Sequence, residues 1–122
     1  MRHLAIVLAA FLVTAPAAAQ PAPAPAPRLS LEHRMMLRCS AAFALVAYRQ
    51  DNGDAEALQY PPLKERGSEY FVRASARVMD EAGLDRDGVS TALRTEAQDL
   101  LKDRTLSAVM PVCLTALEQA GL

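Results

Sequence analysis

The chain has 122 residues, with 13 Lys and Arg against 14 Asp and Glu, and a formal charge of −1 at pH 7. This near balance excludes the strongly basic surface with which proteins bind nucleic acid or dock on anionic lipid. Three Tyr, three Phe and no Trp also argue against a single-strand binder, which interleaves aromatic and basic residues. We therefore expect no nucleic-acid partner.

Residues 1–19 have the pattern of a secretory signal peptide. A short basic start, Met1-Arg2-His3, precedes an apolar run over residues 4–13 and a stretch of small residues that ends at Ala19. The apolar run is too short to cross a bilayer, which takes about 20 residues, and three successive alanines are typical of a cleavage site. The sequence predicts a periplasmic or secreted protein, cleaved after Ala19 and without an integral membrane segment afterwards.

Residues 20–28 alternate proline with alanine as far as Pro27. Each proline fixes its own φ and lacks an N–H, so the stretch favours an extended spacer of the polyproline type. The remaining residues have the length of one small domain. We expect a signal peptide over residues 1–19, a Pro/Ala-rich spacer over residues 20–28 and a single α-helical domain over residues 29–122.

The first predicted helix, over residues 31–48, is the element around which the others should pack. Ser30 is a good N-cap for it, and Gly53 marks the turn that ends it. Its apolar positions surround most of the axis, a pattern typical of a helix inside a bundle.

Arg34 and Arg38 lie one turn apart and form most of the polar stripe of this helix. Their aliphatic stems can lie along the helix while the guanidinium groups pair with acids of neighbouring helices, and we favour this interpretation. The alternative is that they contact an anionic ligand or a partner, because a guanidinium group binds carboxylates and phosphates well.

A second helix is predicted between two prolines and a glycine. Pro62 is suited to its first position, and Gly83 provides its C-terminal cap. Gly67 and Ser68 should weaken its first turns, because glycine is a poor helix former, and the start could therefore shift to Ser68.

Asp85 is the expected N-cap of a third helix. The apolar stripe changes phase over residues 102–105, which predicts a break there and a fourth helix capped by Asp103 or Thr105. Pro111 should kink or delay that helix. No strand pattern of useful length occurs, so the expected fold is all-α, a small bundle of about four helices.

Cys39 and Cys113 are the two cysteines of the chain. In an oxidising compartment two such residues most simply form a disulfide, here between the first and the last helix. The loop so closed would contribute about 4 kcal/mol in the chain-entropy model. The alternative is two separate buried thiols.

His33 lies close in sequence to Met35, Met36 and Cys39, which are residue types that bind soft metals. Helical spacing turns Met35 away from His33, however, and methionine on an apolar helix face is usually core filler. No CxxC or CxxCH motif and no nucleophile beside a histidine is present. We expect no metal, no cofactor and no enzyme activity.

The leading hypothesis from the sequence is an exported, non-enzymatic helical protein that binds another envelope protein. The alternative is a carrier of a small apolar ligand, with a pocket lined by Met35, Met36, Phe43 and Phe71. A metal protein or enzyme using His33 is the least favoured hypothesis. The sequence does not predict the oligomeric state.

Overall fold

The computed structural model describes residues 16–21 and 29–122. Within these residues the chain forms four α-helices, one short 3-10 helix over Ala57–Gln59 and no strand: α1 (Leu31–Asp51), α2 (Lys64–Ala82), α3 (Arg86–Lys102) and α4 (Leu106–Gln119). The predicted all-α fold is confirmed. No helix in this part of the chain combines the length and the apolar character that crossing a membrane requires.

The predicted signal peptide and spacer fall mostly outside the described residues. Of the predicted signal peptide only residues 16–19 are described, and of the predicted spacer only Gln20 and Pro21. Their boundaries and the cleavage after Ala19 stay predictions.

α1 is the central helix of the bundle. α2, α3 and α4 all pack against it and make far fewer contacts with one another. Leu37, Phe43 and Val46 on α1 are completely or almost completely buried. Apolar residues occupy most of the circumference of α1 because three neighbouring helices bury it from three sides.

Side chains cap two of the helices at the residues that the sequence predicts. The Ser30 hydroxyl accepts a hydrogen bond from the backbone N–H of His33 at 3.0 Å, at the start of α1. Asp85 accepts from the N–H of Gly88 at 2.7 Å, at the start of α3. Gly83, at the end of α2, has a φ of 69° and supplies the left-handed cap.

The start of α2 differs from the prediction, because the helix begins at Lys64 rather than at Pro62. The side chain of Gln50 holds the preceding loop. Its carbonyl oxygen accepts from the N–H of Leu63 at 3.1 Å, and its amide donates to the carbonyls of Ala57 and Pro61 at 3.0 and 2.9 Å. These bonds keep the two prolines in the loop and bury Leu63 at the helix entrance.

Gly67 has a packing role that its low helix propensity does not reveal. It is buried inside α2, and a Cβ at this position would lie 2.9 Å from the Cβ of Phe43. Two helices can approach this closely only where one of them lacks a side chain. The Phe43 ring then meets Tyr70 edge to face, with ring centroids 5.2 Å apart.

The break between α3 and α4 falls where the phase change predicts it. Arg104 adopts a left-handed conformation, with φ 53°. Thr105 precedes α4, but its hydroxyl makes no capping bond and instead accepts from Arg38. α4 begins at Leu106 and continues through Pro111, so the proline does not delay the helix.

Cys39 and Cys113 form the predicted disulfide between α1 and α4, with their Cα atoms 5.1 Å apart. Both residues are buried in the main core. The bond closes a covalent loop over a sequence separation of 74 residues, which contains α2 and α3.

Replacing Cys39 with Ser should lower the stability of the oxidised protein by about 4 kcal/mol, because the denatured chain is no longer constrained by the loop. Thermal unfolding with and without a reductant measures this. The reductant should bring the melting temperature of the wild type close to that of the variant. Equal melting temperatures of the wild type in the two conditions would contradict the prediction.

Candidate functional site: an apolar groove beside α1

One face of α1 is buried by neighbouring helices near the start of the helix and exposed to solvent near its end. Leu37, Ala41, Ala44 and Tyr48 follow one another on this face at helical spacing. Leu37 is fully buried against Val78 of α2 and a valine of α3, close to the short turn that joins these helices. Ala44 is exposed, and Tyr48 is 70% exposed. α2 and α3 therefore diverge from their shared turn and leave this face of α1 open.

The opening between the diverging helices is a groove of about 520 Å³, here called the α1–α2–α3 groove. Its floor on α1 combines the small residues Ala41, Ala44 and Ala47 with the larger Phe43 and Leu45. Phe71 stands on the α2 wall and Leu93 on the α3 wall, and the lining is mostly apolar. The groove can hold a bulky apolar group that the bundle itself does not provide.

Two cations and no carboxylate belong to the lining of this groove. Lys64 lies on the α2 side and Arg94 on the α3 side. Lys64 pairs with Asp51 at 3.0 Å in a contact that is exposed on both sides, whereas Arg94 forms no ion pair with any described residue. Among the described residues, the lining places no carboxylate beside these two cations.

A second groove, of about 480 Å³, lies between α1, α2 and α4. Met35 and Met36 line it, together with Tyr70, whose pKa is raised by burial of the phenol. Its two arginines are already bound to acids. Arg73 contacts Glu69 at 3.0 Å, and Arg77 contacts Glu32 and Glu81, each at 2.8 Å.

The single carrier pocket expected from the sequence does not form. The structure divides its four residues, because Phe43 and Phe71 line the α1–α2–α3 groove while Met35 and Met36 line the second groove. The physical reason is that α2 crosses between the two sets, with its Gly67 pressed against Phe43.

Arg34 and Arg38 converge on one buried carboxylate, Glu96 of α3, which is 6% exposed. A guanidinium nitrogen of Arg38 donates to Glu96 Oε2 at 3.0 Å, and a second donates to the hydroxyl of Thr105 at 3.1 Å. Nε of Arg34 lies 3.6 Å from Glu96 Oε1. Both arginines thus pair with an acid of a neighbouring helix, which is the interpretation that the sequence favours. That either arginine contacts a ligand or partner stays a prediction.

Glu96 lies at helical spacing among Val89, Leu93 and Leu100 of α3, and the sequence analysis did not connect it to Arg38. The signal that could have found the pair is the coincidence of a carboxylate on one apolar stripe with an arginine stripe on the central helix. Such a carboxylate needs a cation when it is buried.

His33 takes part in a chain of charged side chains that joins the start of α1 to the end of α2. Its Nε2 lies 2.8 Å from Glu81 Oε2, and Arg77 donates to the other oxygen of Glu81 at 2.8 Å. The hydrogen bond from His33 and, after it, that from Arg77 hold the pKa of the Glu81 carboxyl below its usual value of 4.5. Arg77 also reaches Glu32. Among the described residues, no three His, Cys, Asp or Glu side chains are grouped so that they could hold a metal ion.

Comparisons with protein families, with curated proteins and with solved structures found no match for this chain. Its functional assignment therefore depends on the geometry of the two grooves and the ion pairs.

Replacing Arg38 with Met should destabilise the protein by about 3 kcal/mol, because it removes the principal partner of a buried carboxylate. Replacing Arg34, whose side chain is 59% exposed, with Met should cost at most about 1 kcal/mol. Chemical denaturation of the two variants measures the difference. The double variant Arg38→Met with Glu96→Leu should recover stability relative to Arg38→Met, since no buried charge is left without a partner and Arg34, which also loses Glu96, is largely exposed to water. Equal losses in the two single variants would contradict this account.

The lowered pKa of Glu81 predicts a pH-dependent contribution to stability. A carboxyl whose pKa is lower in the folded state stabilises the fold above its unfolded pKa and loses that contribution as the pH falls. Glu81→Gln should therefore be less stable than the wild type at pH 7, with the difference shrinking as the pH falls from about 5 to about 3. Urea unfolding over this pH range is the measurement. Glu65→Gln is the control on the same helix, because Glu65 forms no ion pair among the described residues and interacts only with the N-terminal end of the helix dipole. Its difference from the wild type should therefore vary less with pH than that of Glu81→Gln.

Proposed function

We propose that this chain is an exported, non-enzymatic protein that binds another envelope protein through the α1–α2–α3 groove. The observation that carries the proposal is the mostly apolar groove that lies open beside the central helix, between α2 and α3. Apolar residues exposed together in this way mark binding surfaces more often than isolated ones do.

The dimensions of the groove suit a helix of the partner. Its floor on α1 extends from Ser40 to Ala47, which corresponds to about 10 Å, or two turns. Small side chains on that floor allow a second helix to approach to the usual interaxial distance of about 8 to 10 Å. Phe71 and Leu93 can then contact the sides of its apolar stripe. This is the mode in which amphipathic helices bind in hydrophobic grooves.

The disulfide supports the proposed location. Disulfides persist in oxidising compartments and are rare in the cytosol, and the buried Cys39–Cys113 bond fits export to the periplasm or to the outside of the cell. The signal peptide proposed over residues 1–19 and the spacer over residues 20–28 agree with that location.

A carrier of a small apolar ligand is the second candidate function. The observation in its favour is the volume of about 520 Å³, which lies within the range of ligand pockets. Such pockets bury most of the surface of their ligand, whereas this groove is open along one side. The partner helix is therefore the better fit.

A photocrosslinking amino acid at Phe71, tested in the native envelope, should give one discrete adduct with a partner protein. The same amino acid at Val72 is the control, because Val72 is exposed on the same helix and does not line the groove. An added Ala44→Trp substitution should abolish the adduct by filling the floor, with little change in melting temperature. Equal crosslinking from the two positions, or from Phe71 with Trp at position 44, would contradict the proposal. Native mass spectrometry that finds a bound mass below that of a protein would support the carrier instead.

A further inference from the structure

The net charge of the α1–α2–α3 groove is opposite in sign to the net charge of the whole chain. The chain carries one more acidic than basic side chain. The lining of the groove nevertheless contains two cations, Lys64 and Arg94, and no carboxylate. One cation stands on each wall, so an occupant of the groove meets positive charge on both of its sides.

Both cations can accept a new partner at little cost. Lys64 is 75% exposed and its partner Asp51 is 55% exposed, and ion pairs exposed to this degree contribute little to stability. Arg94 pairs with no acid among the described residues. The arginines of the second groove differ, since Arg73 and Arg77 are held by glutamates.

From this arrangement, and resting on the proposed function, we infer that the groove selects an acidic amphipathic helix of a partner protein. The apolar stripe of that helix enters the groove, and Asp or Glu residues that flank the stripe pair with Lys64 on one side and Arg94 on the other. A helix flanked by lysines would instead bring like charges together on both walls. The attraction of acidic flanks and the repulsion of basic flanks both favour the acidic helix. Interfaces discriminate between partners by combining these two effects.

Synthetic helical peptides test the inference with the full, disulfide-bonded protein. Three peptides of about five turns share one stripe of Leu and Ala and carry Glu, Gln or Lys beside it. Calorimetry at low salt should give a dissociation constant about tenfold lower for the Glu peptide than for the Lys peptide, with the Gln peptide between them. Raising the salt concentration should reduce this preference, because the pairs are exposed.

Two charge reversals on α3 distinguish the groove from the general charge of the protein. Arg94→Glu should remove or reverse the preference for the Glu peptide. Arg86→Glu makes the same change of charge at an exposed residue that does not line the groove, and it should leave the order of the peptides unchanged. An equal effect of the two substitutions would overturn the inference.

The outcomes separate this inference from the proposed function. Binding of all three peptides with the same affinity would overturn the selectivity and leave a helix-binding groove. Binding of dodecanoate in the absence of any peptide binding would overturn both, and it would favour the small-ligand carrier.

Discussion

The requirement to cover α1 on almost every side determines the arrangement of the bundle. A helix with so little polar surface is unstable in water by itself, and its three neighbours supply the burial. α4 is joined to it covalently, α2 is pressed against it at Gly67, and α3 is bound to it through Glu96. Each neighbour is thus held by a different kind of interaction. The α1–α2–α3 groove lies on the side of α1 between α2 and α3, where Ala44 is left exposed.

The divergence of α2 and α3 follows from how these attachments are distributed. The short turn at Gly83 brings the two helices together beside Leu37, where their valines complete a small separate core. Phe43, further along α1, holds α2 through its contact with Gly67. Arg38, next to Leu37, holds α3 through Glu96 on another side of the helix. Two helices that share a turn but are fastened to different faces of α1 must separate. The groove is a direct result of that separation.

Local signals in the sequence were sufficient for most of the fold. Ser30, Gly83 and Asp85 mark helix ends through bonds or conformations within a few residues. The two cysteines lie on apolar stripes of the first and the last helix, which places both in the core where they pair. The start of α2 was predicted too early, because Gln50 acts from thirteen residues away.

The candidate site was much harder to predict than the fold. The pairing of Arg38 with Glu96, and the division of the aromatic and methionine residues between two grooves, depend on the angles between helices. Periodicity shows which face of a helix is apolar, but not the angle at which its neighbour crosses it. Gly67 illustrates the same limit. The sequence shows that a glycine lowers the helix propensity of α2 at this position, but it does not show the close contact of Gly67 with Phe43.

The position of the disulfide has a mechanical consequence. It joins the two helices at the ends of the domain, while both walls of the groove belong to the intervening segment of the ring that it closes. The covalent constraint therefore acts directly on α1 and α4, whereas α2 and α3 are held on α1 by noncovalent contacts, among them those of Gly67 and Glu96. A reductant would cut the covalent link between the two outer helices and break no covalent bond within the walls of the groove.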